Sequence, residues 1–296
     1  MVNNSLHESV LKKEVIKYLS PKPNENFIDA TFDGGGHSFE ILKKTLPKGK
    51  ILGIELDKEL LEKTRKRLEQ FEKRLVLVND NFKNLKKIVD KTCPELNRRI
   101  SGVLFDLGFS SWHIEKSERG FSFLRDELLD MRYEKRGITA MDIVNKWQKE
   151  DIEKILRIYG EERYSRKIAE KIIEERKKKP ILKTTELVRI IEEVKPGKAK
   201  EKIHPATRTF QALRIKVNSE LENIKKTLPQ AVEILKPGGK IVIISFHSLE
   251  DRIVKNFLKG EKKVEILTKK SIKATSEEIN KNPKSRSAKL RACIKK

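Results

Sequence analysis

The feature that most constrains this chain is a repeated change of period. Short apolar runs alternate with segments whose apolar residues recur at helical spacing. "NFIDATF" reads as a strand and "HSFEILKKTL" as a helix; "KILGIEL" and "KELLEKTRKRLEQF" repeat the pair, "RLVLVND" and "FKNLKKIVDK" repeat it again, and "ISGVLFDLG" is a fourth strand. Strands joined through helices cannot pair as hairpins, so the series predicts an α/β fold with a parallel sheet and helices on both faces. After Gly108 no strong strand follows for about 130 residues, although a crossover needs only a helix and two short loops. The gap predicts an inserted all-helical domain, with "EDIEKILRIYGEERYSRKIAEKIIEERKKK" and "TTELVRIIEEV" as its clearest helices. A return helix is expected from near Pro205, with Leu213, Val217, Leu221, Ile224 and Leu228 as one buried stripe that Pro229 interrupts or restarts. "KPGGKIVIISF" is a fifth strand, "LEDRIVKNFLK" a helix and "KVEILT" an edge strand. The expected division is 1–112 with 213–296 for the sheet domain and 113–212 for the insert.

Composition narrows the partner. Lys and Arg number 67 against 44 Asp and Glu, a formal charge of +23 over 296 residues. Such an excess favours a polyanion, nucleic acid ahead of a membrane surface; a Lys- and Glu-rich thermal or genomic bias is the plainer source. The last sixteen residues hold seven Lys/Arg and no acid, and read as a phosphate-contacting arm or a solvated tail. Two cysteines, Cys93 and Cys293, make no disulfide framework. No signal peptide and no apolar run of membrane length is seen, so a cytoplasmic protein is expected. The five histidines show no metal-ligand spacing, and no metal centre is expected.

Candidate chemistry begins at "DATFDGGGHS". A strand, a glycine loop and a helix can bring a ligand to backbone N–H groups at the helix start. The spacing is neither that of a dinucleotide fingerprint nor that of a P-loop, and a surface turn is the bland alternative. Glu55, at the end of the second strand, suits ribose hydroxyls, which NAD and S-adenosylmethionine both carry. "LKPGG" before the fifth strand and Asp80-Asn81-Phe82 after the third tilt the choice to S-adenosylmethionine. Asp106 ends the fourth strand. An exocyclic amine is a poor nucleophile because its lone pair is delocalised into the ring. A carboxylate there can hold the N–H groups and take the proton as the methyl arrives. Methylation at cytosine C5 would need a thiolate, and neither cysteine is well placed for it.

The chain resembles the bacterial 16S (small-subunit) ribosomal RNA cytosine-N4-methyltransferases. The matching segments run nearly end to end, among them "DATFDGGGHS", "GIELD", "LFDLGFSS", "ERGFSF", "YGEER", "KIHPATRTFQALRIKVNSEL", "KPGGKIVIISFHSLEDRIVK" and "NPKSRSAKLR". The resemblance implies a Rossmann-like class I S-adenosylmethionine-dependent methyltransferase sheet with an inserted helical domain that recognises RNA. It implies methyl transfer to N4 of one cytosine in the decoding region. The partner is the small-subunit RNA or the 30S particle, without a membrane, and a homodimer stays open. Carried over by position, the cofactor contacts are Gly35, Gly36, His37, Glu55, Phe82, Asp106 and His113. Asp106, His247 and Asn218 are the catalytic candidates; His204, Arg208, Arg214 and Ser245 are the substrate and RNA candidates. Phe210 is expected in the core, and Arg119 and Arg132 on phosphate or in insert packing. The chain departs from the family at Glu55, usually Asp; at Asp33, usually Gly; and at Trp112-His113, usually Pro-Gln. Methylation of DNA or protein amines, a non-catalytic ribosome assembly factor that keeps the cofactor, and an NAD oxidoreductase are the competing readings.

Overall fold

The computed structural model describes residues 9–97, 99–195 and 203–296; His7 lies outside them. The chain forms two compact units, one running to Ser110 and resuming over Leu221–Lys296, the other Ser111–Glu220.

The first unit opens with α1 (Lys12–Leu19), β1 (Asn26–Asp29), α2 (Gly36–Lys44), β2 (Ile51–Glu55), α3 (Lys58–Arg67), β3 (Leu75–Asn79), α4 (Leu85–Thr92) and β4 (Ile100–Asp106). Every residue of β4 is buried, as expected of a strand covered on both faces. The second unit holds α5 (Ser111–Glu115), α6 (Ala140–Lys146), α7 (Lys149–Gly160), α8 (Ser165–Lys178), α9 (Thr184–Val194) and α10 (Thr207–Asn218). The first unit then resumes with β5 (Leu235–Ser245), which follows α11 (Glu220–Ile234), and ends with α12 (Ser248–Gly260), β6 (Val264–Ile266), α13 (Ser276–Lys281) and β7 (Lys289–Lys295).

The sheet has seven strands in the order β3-β2-β1-β4-β5-β7-β6, and β7 is antiparallel to both its neighbours. This is the α/β sheet the alternation of periods predicted. From β1 the chain winds outward through β2 and β3; from β4 it winds the other way. The order reverses between β1 and β4, and open α/β sheets bind ligands in the crevice at that switch point, beyond the strand C-termini. The glycine loop and Asp106 stand on either side of it.

The return helix differs from expectation. Ser219 takes a left-handed conformation, φ 52°, and its N–H donates back to the carbonyls of Ile215 and Lys216. The expected single stripe is therefore two helices. Leu213 joins Phe210, Ile143, Ile152, Leu156 and Leu187 in the helical unit's core, with Val217 packed against it. Leu221, Ile224 and Leu228 are buried on α11, beyond the break. The boundary thus falls at Leu221 rather than 213, because α10 packs with α7. At Gly160 of α7 an added Cβ would lie 2.6 Å from the Arg208 carbonyl oxygen, so only glycine permits that approach. Pro229 sits inside α11 and does not end it.

The basic C-terminal stretch is not a free arm. Its second half is β7, inserted between β5 and β6, with Leu290, Ala292 and Cys293 fully buried.

Candidate active site

β1 ends at Asp29, and the chain turns through Asp33, held at φ 45°, and Gly35, at φ 68°, into α2. Gly35 is constrained twice. Beyond its positive φ, a Cβ there would lie 2.7 Å from Leu68 and 2.9 Å from Phe32. A bulky residue at Gly35 would therefore report packing as much as ligand contact. Across the switch point, the Asp106 N–H donates to Thr31 Oγ1 at 2.6 Å and the Ala30 N–H to the Leu104 carbonyl. These bonds tie the loop after β1 to the tip of β4.

Four carboxylates and one imidazole gather here. Ser38 Oγ donates to Asp29 Oδ2 at 2.7 Å. His37 Nε2 lies 3.4 Å from Asp106 Oδ2, with both side chains buried. Glu55 accepts from the Asp33 N–H at 2.9 Å and the Asp57 N–H at 2.7 Å. A carboxylate has about four acceptor positions, so Glu55 keeps capacity for further donors. Burial pushes Asp29 up to about 7 and Glu55 up to about 8. Asp33 is raised well above the usual carboxylate range by burial and then by the Glu55 charge. The charged groups acting most strongly on these three are other carboxylates and His37, with no lysine or arginine among them. Asp29 Oδ1, His37 Nε2 and Asp106 Oδ1 are enclosed, yet have no hydrogen-bond partner among the described residues. Leaving such atoms unpaired is costly, and native proteins keep them where a ligand completes the set.

This burial has a pH signature. Folding raises the Asp29 pKa from 3.8 to about 7, so the folded state holds that proton more tightly. The associated stability is present below pH 4 and is lost as the pH climbs towards 7. Asp29→Asn, whose carbonyl can still accept from Ser38, should gain thermal stability over wild type as pH rises from 5 to 8. The gain should approach a few kcal/mol, at about 1.4 kcal/mol per pKa unit. A melting-temperature difference that stays constant over that range would refute the assignment.

The other expected residues of the sheet unit fall around this centre. Gly36 opens α2. Phe82 is half-buried in a turn beyond β3, edge-on to Phe105 of β4 with ring centroids 6.1 Å apart. Ser245 ends β5 and donates its hydroxyl to the Lys289 carbonyl at 3.3 Å, across the pairing of β5 with β7. His247 caps α12: its Nδ1 accepts from the Glu250 N–H, while Glu250 accepts from the N–H groups of Phe246 and His247. The cap occupies Nδ1 alone; Nε2 lies 3.3 Å from Glu250 Oε1 and is enclosed without a hydrogen-bond partner among the described residues.

The remaining candidates lie in the helical unit. Arg214 makes a two-pronged pair with Glu220, at 2.9 and 3.0 Å, and is buried. Its charge is spent internally, which corrects the expectation that it binds RNA. Asn218 donates to the carbonyls of Met131 and Arg214 and accepts from the Tyr133 N–H. Both its amide hydrogens are committed, so it clamps the 131–133 backbone instead of removing a proton. His204 stacks on Phe123, ring centroids 4.6 Å apart, and its Nδ1 accepts from the Ala206 N–H. Arg208 donates to the Glu161 carbonyl at the end of α7. His113 is buried beside Phe121 and Tyr133. Arg119 donates to the Tyr133 carbonyl and Arg132 pairs with Asp130, both within the loop before α6. Phe210 is in the core, as expected.

Asp29, Asp33 and Thr31 were missed as site residues. The signal for Asp29 was available: like Glu55 and Asp106, it is an acid at the last position of a buried strand.

Comparison with known proteins gives a match to the MraW methylase family over residues 4–296. The chain is 48% identical over 290 residues to the ribosomal RNA small subunit methyltransferase H of Sulfurihydrogenibium sp. (strain YO3AOP1), covering 96% of this chain and 97% of that one. It is 47% identical over 291 residues to the protein of the same name from Dictyoglomus thermophilum, covering 97% and 96%. Among solved structures, TrmN from Thermus thermophilus aligns with a TM-score of 0.47 at 9% identity, over 97% of this chain and 48% of that one.

Proposed function

The chain belongs to the MraW methylase family, and from that premise we propose that it transfers a methyl group from S-adenosylmethionine to the exocyclic N4 amine of a cytosine in the decoding region of small-subunit ribosomal RNA. The observation that carries this reading is the set of enclosed, unpartnered polar atoms on Asp29, His37 and Asp106 at the switch point. They stand among buried carboxylates on which no lysine or arginine acts strongly. Such a site favours a ligand that is a cation and a hydrogen-bond donor, and S-adenosylmethionine is both, through its sulfonium, its ammonium and its ribose hydroxyls. A dinucleotide with an anionic pyrophosphate would meet repulsion here.

The residues fit the cofactor. The backbone N–H groups at the start of α2 suit its carboxylate, Glu55 its ribose, and Phe82 the adenine side. When bound, the cofactor supplies an electrophilic methyl on sulfur. Asp106 holds the amine hydrogens through Oδ1, localises the nitrogen lone pair, and takes the proton released as the N–C bond forms. The surrounding apolar strands exclude water and strengthen these contacts. In this reading the helical unit, 111–220, recognises the RNA around the target, and the protein works in the cytoplasm on RNA or the 30S particle. No helix among the described residues is long and apolar enough to cross a membrane.

The direct test incubates the protein with small-subunit RNA or 30S particles and labelled S-adenosylmethionine, then maps the methylated nucleoside by mass spectrometry. N4-methylcytidine at one position is the expected product. Binding without label would instead leave an assembly factor, and label on another atom would overturn the acceptor. For the cofactor, Glu55→Ala should weaken S-adenosylmethionine about 10- to 100-fold by calorimetry, since leaving the enclosed ribose hydroxyls without their acceptor costs about 1–3 kcal/mol. Unchanged affinity would remove Glu55 from the site.

A further inference from the structure

The register of β7 fixes where the basic C-terminal charges lie. β7 runs antiparallel to β5, with Lys289 opposite Ser245 and Ile294 opposite Lys240. The start of β7 is therefore at the C-terminal end of β5, the sheet edge on which Asp106 ends β4. The turn leading into it, Pro283–Ser287, exposes Arg286. Ile272 pairs with Leu290, again at the start of β7, so the loop 269–273 reaches the same edge. Lys269, Lys270 and Lys273 of that loop are exposed.

These four cations are set apart by their place: Lys262 and Lys263 are also exposed, with no carboxylate at ion-pair distance among the described residues, but they lie at the opposite edge of the sheet. Elsewhere lysines pair along helices, as in Lys63–Glu59, Lys178–Glu174 and Lys281–Glu277. Among the described residues, no carboxylate lies within ion-pair distance of Lys269, Lys270, Lys273 or Arg286. The nearby acids are already engaged: Glu277 with Lys281, Glu278 with the Leu11 N–H, and Asp251 with Arg291 and Lys289. Unpaired cations at the edge where β4 ends in Asp106 are placed to meet the phosphates of a polyanion whose base enters there.

We infer that the loop 269–273 and the turn before β7 form a phosphate-docking rim for the single-stranded RNA flanking the target base. This rests on the reading of the chain as a ribosomal RNA methyltransferase and adds where the sheet unit itself grips the strand. Side chains of this kind carry no base specificity; they set affinity and register, while the catalytic pocket selects the base.

The test compares the full-length protein with the variant Lys269→Gln, Lys270→Gln, Lys273→Gln, Arg286→Gln. The probe is a single-stranded RNA fragment carrying the target cytosine and its flanks. Every phosphate that the variant no longer neutralises should flatten the slope of log K against log salt by about 0.7, so four such phosphates give roughly 2.8. The RNA KM should rise at least about tenfold at physiological salt, with kcat at saturating RNA and the S-adenosylmethionine affinity unchanged. Lys262→Gln with Lys263→Gln is the control: both are exposed and precede β6, whose Val264 pairs with Lys295 at the opposite edge of the sheet. That control should leave the slope as in wild type. A wild-type slope and KM in the fourfold variant would overturn the rim, as would an equal effect in the control. Should the fourfold variant fold poorly, Lys269→Gln with Lys270→Gln must still give about half the shift. A wild-type protein that neither binds the RNA nor methylates it would instead overturn the functional reading itself.

Discussion

Asp106→Ala should lower the rate of N4 methylation by roughly 10²–10⁴-fold, measured as single turnover with saturating S-adenosylmethionine and RNA. The Asp106 carboxyl is divided between two tasks. Oδ2 faces His37 Nε2, and Oδ1 has no protein partner among the described residues. The free oxygen sits at the switch point, where the amine must approach, while the backbone of Asp106 is fixed through the Thr31 bond and does not depend on the side chain. Truncation should therefore remove chemistry without releasing the strand tip. Asp106→Asn separates two roles. An amide keeps a carbonyl acceptor for an amine hydrogen but cannot take a proton. If orientation of the amine dominates, Asn retains part of the activity that Ala loses. If proton removal dominates, the two fall together. Cofactor affinity must be measured alongside, because Asp106 is also a cofactor candidate and a binding loss would otherwise pass for a catalytic one. Near wild-type rates in both variants at saturating cofactor would place the proton acceptor elsewhere, with His37 the nearest group able to serve.

How legible the molecule was depends on the range of the interactions involved. The sheet was readable because each strand is a local run whose period and length declare it. The site acids Glu55 and Asp106 were readable because a strand end is a local property, and Asp29 could have been found by the same rule. What was not legible is pairing between distant or conformationally separated residues. Nothing in "TRTFQALRIKVNSEL" says that Arg214 spends its charge on Glu220, because that contact requires the left-handed turn at Ser219. In a helix continued through that turn the two would stand six residues apart, off any common face. Asn218 misled for a related reason. It is a polar residue inside a long family motif, and a motif marks importance without distinguishing a clamp from a catalyst. The Arg214–Glu220 pair and the Asn218 clamp show structural demands sharing a stretch read as functional.

The C-terminal stretch is the sharpest case, and it carries the largest expected effect on folding. Removing residues 289–296 should leave a protein without a cooperative thermal transition. By composition this is a basic tail, and a tail could be cut with little loss. By structure it is an interior strand that pairs with β5 from Lys240 to Ser245 and carries β6 on its other side. Leu290, Ala292 and Cys293 are wholly buried, and a buried leucine alone contributes about 1.5–3 kcal/mol. The cut would also expose β5, whose neighbouring side chains are buried, as an unpaired edge. It would strand β6 and break the Asp251–Arg291 pair and the Lys295 bonds to the Glu233 and Leu235 carbonyls. Together these losses rival the whole stability of a domain, about 5–15 kcal/mol. Circular dichroism and limited proteolysis should find the truncated chain lacking a folded sheet unit, and RNA binding lost with it. Such a loss would say nothing about phosphate contacts. By contrast, Lys296 lies past the end of β7 and adds one backbone bond, to the Lys263 carbonyl, so deleting it alone should shift the melting temperature by little. A truncation at 288 that still melts cooperatively near the wild-type temperature would show that the sheet closes without β7 and that the tail reading was right.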